Sequence, residues 1–168
     1  MTSRESKTMS DEILVQRNGP VTEIVLNRPD HGNAATDDMA KELTRLLRGA
    51  GKDFCVGRAT MGVAPAGPIE AIERRRSVEV IFDCYGAIRN SPIPVVGIVH
   101  GRALGFGCAI AAVCDITIAT DAATFQVPEM AHNILPTMVM SAMIDRVPRK
   151  AFTYLVYSQA TISAESPR

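Results

Sequence analysis

Two short runs near the start of the chain are rich in branched apolar residues, Ile13-Leu14-Val15-Gln16 and Val21-Thr22-Glu23-Ile24-Val25-Leu26. They predict two strands. Asn18-Gly19 between them is a hairpin turn signal, and Asn27-Arg28-Pro29-Asp30 ends the second strand. The pattern then changes period. Met39, Leu43, Leu46 and Leu47 recur at helical spacing. Thr36 is placed to cap this helix, with Asp37 and Asp38 in the first turn, where carboxylates suit the helix dipole. After the helix, no apolar run is long enough for the buried strand an α/β chain would place before Lys52–Gly57. That strand is expected to be absent, as though a segment were missing near residues 48–49.

A glycine-, alanine- and proline-rich loop over 59–67 leads to a second helix opened by Pro68. Its apolar positions include Ile69, Ile72, Val80, Ile81, Tyr85 and Ile88, and Glu70, Glu73 and Arg74–Arg76 form a solvated face. Ser91-Pro92-Ile93-Pro94 stops it. Val95–Val99 is a fully apolar strand of the kind buried on both faces. A glycine-rich turn, His100–Gly107, precedes a run of small and apolar residues, Cys108–Val113, that reads as a buried helix. Asp115–Thr120 predicts another strand, and segments 138–147 and 149–157 have helical character. Strands alternating with helices indicate an α/β domain over residues 12–168, preceded by a loose polar tail over 1–11.

Composition narrows the function classes. The 168 residues carry 18 Lys+Arg and 18 Asp+Glu, for a formal net charge of zero. No excess of cations is present to draw in nucleic acid or an anionic membrane. The polar 1–11 segment contains no apolar stretch of the secretory type. The four cysteines, Cys55, Cys84, Cys108 and Cys114, form no CxxC pair. They read as buried reduced thiols, which fits a cytoplasmic protein. No His/Cys/Asp/Glu cluster has metal-ligand spacing. No metal and no cofactor are expected.

The feature that carries chemistry is a strand, then His-Gly-x-x-x-Gly-x-Gly, then a helix of small residues. Glycines admit a close ligand. A helix start offers unpaired N–H groups and a positive dipole end, suited to an anion or a developing oxyanion. A dinucleotide-binding GxGxxG is not met, and no Gly-Lys-Ser/Thr follows.

The stretch PVVGIVHGRALGFGCAIAAVCD, ending at Asp115, resembles the signature segment of the crotonase (enoyl-CoA hydratase/isomerase) superfamily. Asn27-Arg28-Pro29 with Asn33-Ala34 is similar to that family's NRP…NA motif. Phe54–Ala59 is similar to its F-x-x-G-x-D loop, and Phe125–Glu129 to its F-x-x-P-E segment. The motifs come in the family's order over residues 12–165. The resemblance implies a ClpP/crotonase-type α/β fold: a spiral core of ββα repeats with parallel sheets flanked by helices, its C-terminal helical part truncated or missing. It implies an acyl-CoA substrate of fatty acid metabolism, with coenzyme A part of the substrate. It implies a homo-oligomer, trimer or hexamer, and no membrane or nucleic-acid partner.

It also implies site residues. Two backbone N–H groups, of Arg58 and Phe106, would hold the thioester carbonyl, with Gly57, Gly105 and Gly107 supporting the turns. Of the two glutamates that hydratases use, Glu129 matches one, and Ala109 fills the position of the other. A single carboxylate is the isomerase-like pattern, in which one group removes a proton at one carbon and returns it at another. Ala59 stands where the loop motif usually has Asp. The alternative function is a catalytically weak or inactive acyl-CoA-binding or assembly subunit. His100 reads as structural, His132 as a neighbour of the pocket, and Asp121 and Asp145 as surface groups.

Overall fold

The computed structural model describes residues 6–10, 12–19, 21–42, 46–59 and 70–165. Pro68, Ile69 and Leu43, singled out above, lie outside them. The described strands form a six-stranded sheet of order β1-β2-β3-β4-β5-β7 and a three-stranded sheet of order β6-β8-β9. The large sheet consists of β1 (Ser6–Ser10), β2 (Ile13–Asn18), β3 (Val21–Leu26), β4 (Leu46–Gly49), β5 (Val96–Val99) and β7 (Ile116–Ala119). The small one consists of β6 (Arg102–Leu104), β8 (Thr124–Gln126) and β9 (Ile162–Ser163). The helices are α1 (Asp37–Glu42), α2 (Ala71–Arg89), α3 (Phe106–Val113), α4 (Thr137–Met143) and α5 (Arg149–Ser158).

The predicted hairpin is present. β2 pairs antiparallel with β3 from Ile13↔Leu26 to Asn18↔Val21, and Gly19 takes a φ of +61° in the turn. Thr36 caps α1 by accepting the Met39 N–H at 3.2 Å. Along α2, Ile81, Cys84, Tyr85 and Ile88 are buried at the i, i+3, i+4, i+7 spacing of one helical face. α3 is buried almost all round, as its run of small residues predicts.

Three expectations are corrected. The strand thought absent near 48–49 exists. Leu46–Gly49 forms β4, parallel to β3 on one side (Ile24↔Leu47) and to β5 on the other (Leu47↔Gly97). Leu46 and Leu47, read above as part of the preceding helix, belong to this strand, and the described part of α1 covers Asp37–Glu42. Pairing on both edges satisfies backbone groups that helical propensity alone cannot weigh. The polar tail is not wholly loose: Ser6–Ser10 forms β1, antiparallel to β2. The glycine-rich turn also contains a strand, β6, parallel to β8.

No helix among the described residues is long and apolar enough to cross a membrane. The four cysteines are free and buried. Burial pushes the Cys55 thiol up to about 11 and the other three up to about 12. The thiol form, which is the weaker nucleophile, is therefore favoured at all four.

Candidate active site

Segments 53–58, 101–106 and 124–129 lie side by side, and backbone bonds fasten them. The Cys55 N–H donates to Arg102 O at 3.1 Å and the Leu104 N–H to Cys55 O at 2.9 Å. The Gly105 N–H donates to Gln126 O at 2.9 Å. Asp53, 3% exposed, receives the Arg102 Nε at 2.9 Å, its Nη2 at 2.7 Å and its backbone N–H at 3.1 Å. These bonds hold the Asp53 carboxyl below its ordinary value.

Behind the first segment sits Asn33, fully buried and at a φ of +55°. Asn tolerates this left-handed conformation better than most residues. Its Oδ1 accepts the Arg28 N–H, and its Nδ2 donates to Ala50 O and Asp53 O. The Asn of the NRP…NA motif thus ties the β3 exit to the loop after β4.

This packing brings Arg58 and Phe106 to one cavity. Each follows a glycine of positive φ, Gly57 at +119° and Gly105 at +51°. Gly107 is required for a different reason. A Cβ there would lie 2.1 Å from Cys55 O, so only glycine lets the start of α3 close against the 54–58 segment. Phe106 opens α3, where helix geometry gives its N–H no acceptor within the helix. The Arg58 side chain reaches Asp37 Oδ1 at 2.8 Å.

Glu129 lies on the same cavity. It begins the 3-10 turn Glu129–His132, which follows Pro128 and ends at Asn133 in the left-handed conformation. The carboxyl is 6% exposed, not the exposed loop group that an isolated reading of its position suggests. Its Oε2 has no hydrogen-bond partner. Burial pushes its pKa above the usual carboxylate range, with its own backbone N–H and His132 acting weakly the other way. The cavity measures about 130 Å³, and Arg58, Phe106, Glu129 and Tyr85 line it beside Ile81, Ile134, Met138 and Val139. The three residues nominated from sequence are therefore brought together.

The chain is similar to known proteins in sequence and in fold. The sequence profile described as "Enoyl-CoA hydratase/isomerase" matches residues 16–166. The chain belongs to the enoyl-CoA hydratase/isomerase family. A probable enoyl-CoA hydratase of Mycobacterium leprae is 31% identical over 169 residues, 92% of this chain and 64% of that protein. An enoyl-CoA hydratase structure from Mycobacterium smegmatis superposes with a TM-score of 0.82 at 27% identity, covering 93% of this chain and 66% of that one. A Thermobifida fusca structure solved in complex with CoA shares the fold, with a TM-score of 0.80 at 24% identity over 92% of this chain and 67% of that one. The fold is the crotonase fold. The chain spans 64% of the M. leprae relative's length.

The remaining family positions divide cleanly. Ala109 is fully buried on α3, and its side chain is a methyl group that carries no proton. His100 lies with Nε2 3.0 Å from Gly51 O, a contact in which the ring N–H donates to the carbonyl. His132 is exposed and lines a groove of about 610 Å³ with Arg28, His31, Arg58, Gln126 and Pro128. Asp121 is exposed, and Asp145 is held by the Arg89 guanidinium through bonds of 2.5 and 2.7 Å. Arg75 of the arginine cluster is exposed and pairs with Glu79.

Sequence reading missed two groups. Tyr85 was visible only as an apolar position of α2, because helical periodicity does not register a hydroxyl. The Asp53–Arg102 pair spans 49 positions, and no local pattern marks it.

Proposed function

We propose that this protein binds an acyl-CoA thioester and stabilises its enolate, with Glu129 as the single proton-transfer group. The observation that carries the reading is the bare Glu129 Oε2 on the cavity that Arg58 and Phe106 also line. In this reading the Arg58 and Phe106 N–H groups donate to the thioester carbonyl oxygen. The Glu129 carboxylate takes a proton from the carbon next to that carbonyl. The C–H electron pair moves into the carbon skeleton, and charge gathers on the oxygen between the two donors. Each such donor contributes about 3–4 kcal/mol of transition-state stabilisation. For a 3-enoyl thioester, the same carboxyl, now protonated, returns the proton two carbons further along and leaves the 2-enoyl product. Hydration would require Glu129 alone to handle the water, since Ala109 carries no proton.

The groove beside the cavity supports the CoA part of the reading. Arg28, His31 and Arg58 line it; Arg28 pairs with Glu12 and Arg58 with Asp37, and in this reading their remaining N–H groups pair with phosphate oxygens. A cytoplasmic setting suits the four buried thiols, and a trimer or hexamer is the expected assembly, to be checked by sedimentation.

The deciding experiment is a screen of enoyl-CoA thioesters for hydration and for double-bond migration, run on the protein and on Glu129→Gln. We expect migration activity, lowered at least about 10²-fold by the substitution, with acyl-CoA affinity changed only a few-fold. Unchanged turnover would reject Glu129. Ala109 favours a second reading, a binding or assembly subunit. That reading predicts tight CoA-thioester binding with no turnover of any enoyl-CoA.

A further inference from the structure

Besides Arg58, whose guanidinium pairs with Asp37, the cavity lining holds one polar side chain that the proton transfer does not use. Tyr85 projects from the buried face of α2, is 3% exposed, and its Oη has no hydrogen-bond partner. Its ring stacks on Phe106, with centroids 5.9 Å apart and planes inclined by 22°. The hydroxyl is thereby held in a fixed relation to one of the two oxyanion donors. Ile81, Ile134, Met138 and Val139 supply the apolar part of the cavity lining. Buried donors are almost always satisfied, because losing water without gaining a partner is unfavourable. Here two bare polar atoms, Tyr85 Oη and Glu129 Oε2, belong to residues of one cavity and do not bond each other.

We propose that Tyr85 determines specificity: its hydroxyl donates a hydrogen bond to an oxygen carried on the acyl chain, so the pocket selects short oxygenated acyl-CoA thioesters over plain alkyl ones. The proposal rests on the acyl-CoA reading above and deepens it. Burial and the neighbouring Cys84 and Glu129 raise the phenol pKa, so the group stays protonated and acts as a donor. Size points to a short chain. A cavity of about 150 Å³ accepts a benzene ring, so about 130 Å³ suits an acyl group of roughly six non-hydrogen atoms. A site built to bond a substrate oxygen also discriminates strongly against the analogue lacking it.

The test is calorimetric binding, which works whether or not the protein turns over. Three CoA thioesters of similar length are compared: pentanoyl, 4-hydroxybutanoyl and succinyl. The expected result is at least about tenfold tighter binding of one or both oxygenated thioesters than of pentanoyl-CoA. A preference for succinyl-CoA would identify a carboxylate, and for 4-hydroxybutanoyl-CoA a neutral oxygen. In Tyr85→Phe, which keeps the ring and its stacking on Phe106, that preference should fall to within about twofold. Equal binding of all three by the unsubstituted protein overturns the proposal. So does a preference that survives in Tyr85→Phe, or a uniform loss across all three, which would place the hydroxyl on the shared thioester carbonyl. Failure of every CoA thioester to bind would sink the acyl-CoA reading itself, an outcome distinct from the others.

Discussion

Glu129 is buried with one carboxylate oxygen unbonded, an arrangement that works against folding. An unsatisfied buried polar group typically costs about 1–3 kcal/mol. Burial raises its pKa, so the folded state binds the proton more tightly than the unfolded chain does. Stability from this group is therefore fully present below the unfolded carboxylate pKa and is lost as pH rises through the raised folded value. Glu129→Gln should raise the melting temperature at pH 7, by about 2–4 °C for each kcal/mol recovered, and change it little at pH 4. Thermal melts at the two pH values check this. In the proposed mechanism only the carboxylate accepts a proton, so turnover should rise with pH through the same raised value. Perturbed ionisable groups of this kind cluster at functional sites.

Among the elements, the junction of α3 with the 54–58 segment is the most demanding. Gly107 sits where a Cβ would meet backbone, Cys55 O, at 2.1 Å, and backbone cannot step aside as a flexible side chain can. Gly107→Ala should cost at least about 1–3 kcal/mol. It should also separate the Arg58 and Phe106 amides and weaken thioester binding. Gly86 in α2 is the natural contrast. Its nearest neighbour to an added Cβ is Asn90 Nδ2 at 3.9 Å, so Gly86→Ala should stabilise the protein by about 0.5–1 kcal/mol through helix propensity. Urea unfolding of both variants, with thioester binding measured alongside, separates a site-specific effect from a general one.

At the scale of the molecule, β4 joins the N-terminal hairpin to the strands that carry the site. It lies between β3 and β5 with parallel partners on both sides. Proline in a central strand removes a ladder bond and leaves a buried carbonyl unpaired, which costs about 1–3 kcal/mol. That is a large share of the roughly 5–15 kcal/mol that holds a typical domain together. Leu47→Pro should therefore lower unfolding free energy by at least about 1–3 kcal/mol, measured by circular dichroism in urea. A loss below about 1 kcal/mol would mean that β4 contributes little to cohesion.

The sequence alone determined the elements whose signal is local. Asn18-Gly19 specified a hairpin, the spacing of Ile81, Tyr85 and Ile88 specified a buried helical face, and the small residues from Cys108 to Val113 specified a buried helix. Motif positions named Arg58, Phe106 and Glu129, which the fold gathers around one cavity. Tertiary structure decided what depends on distant partners. Leu46–Gly49 became a strand because β3 and β5 offer edges on both sides, whereas its own residues read as the end of a helix. Glu129, which follows the β8 strand paired with β6, is buried against elements distant in sequence. Tyr85 lines the pocket beside Phe106, on which its ring stacks, a placement that depends on the packing of α2 against α3. Local periodicity reports which face of an element is apolar; which atoms on that face remain without a partner is fixed only when the chain closes.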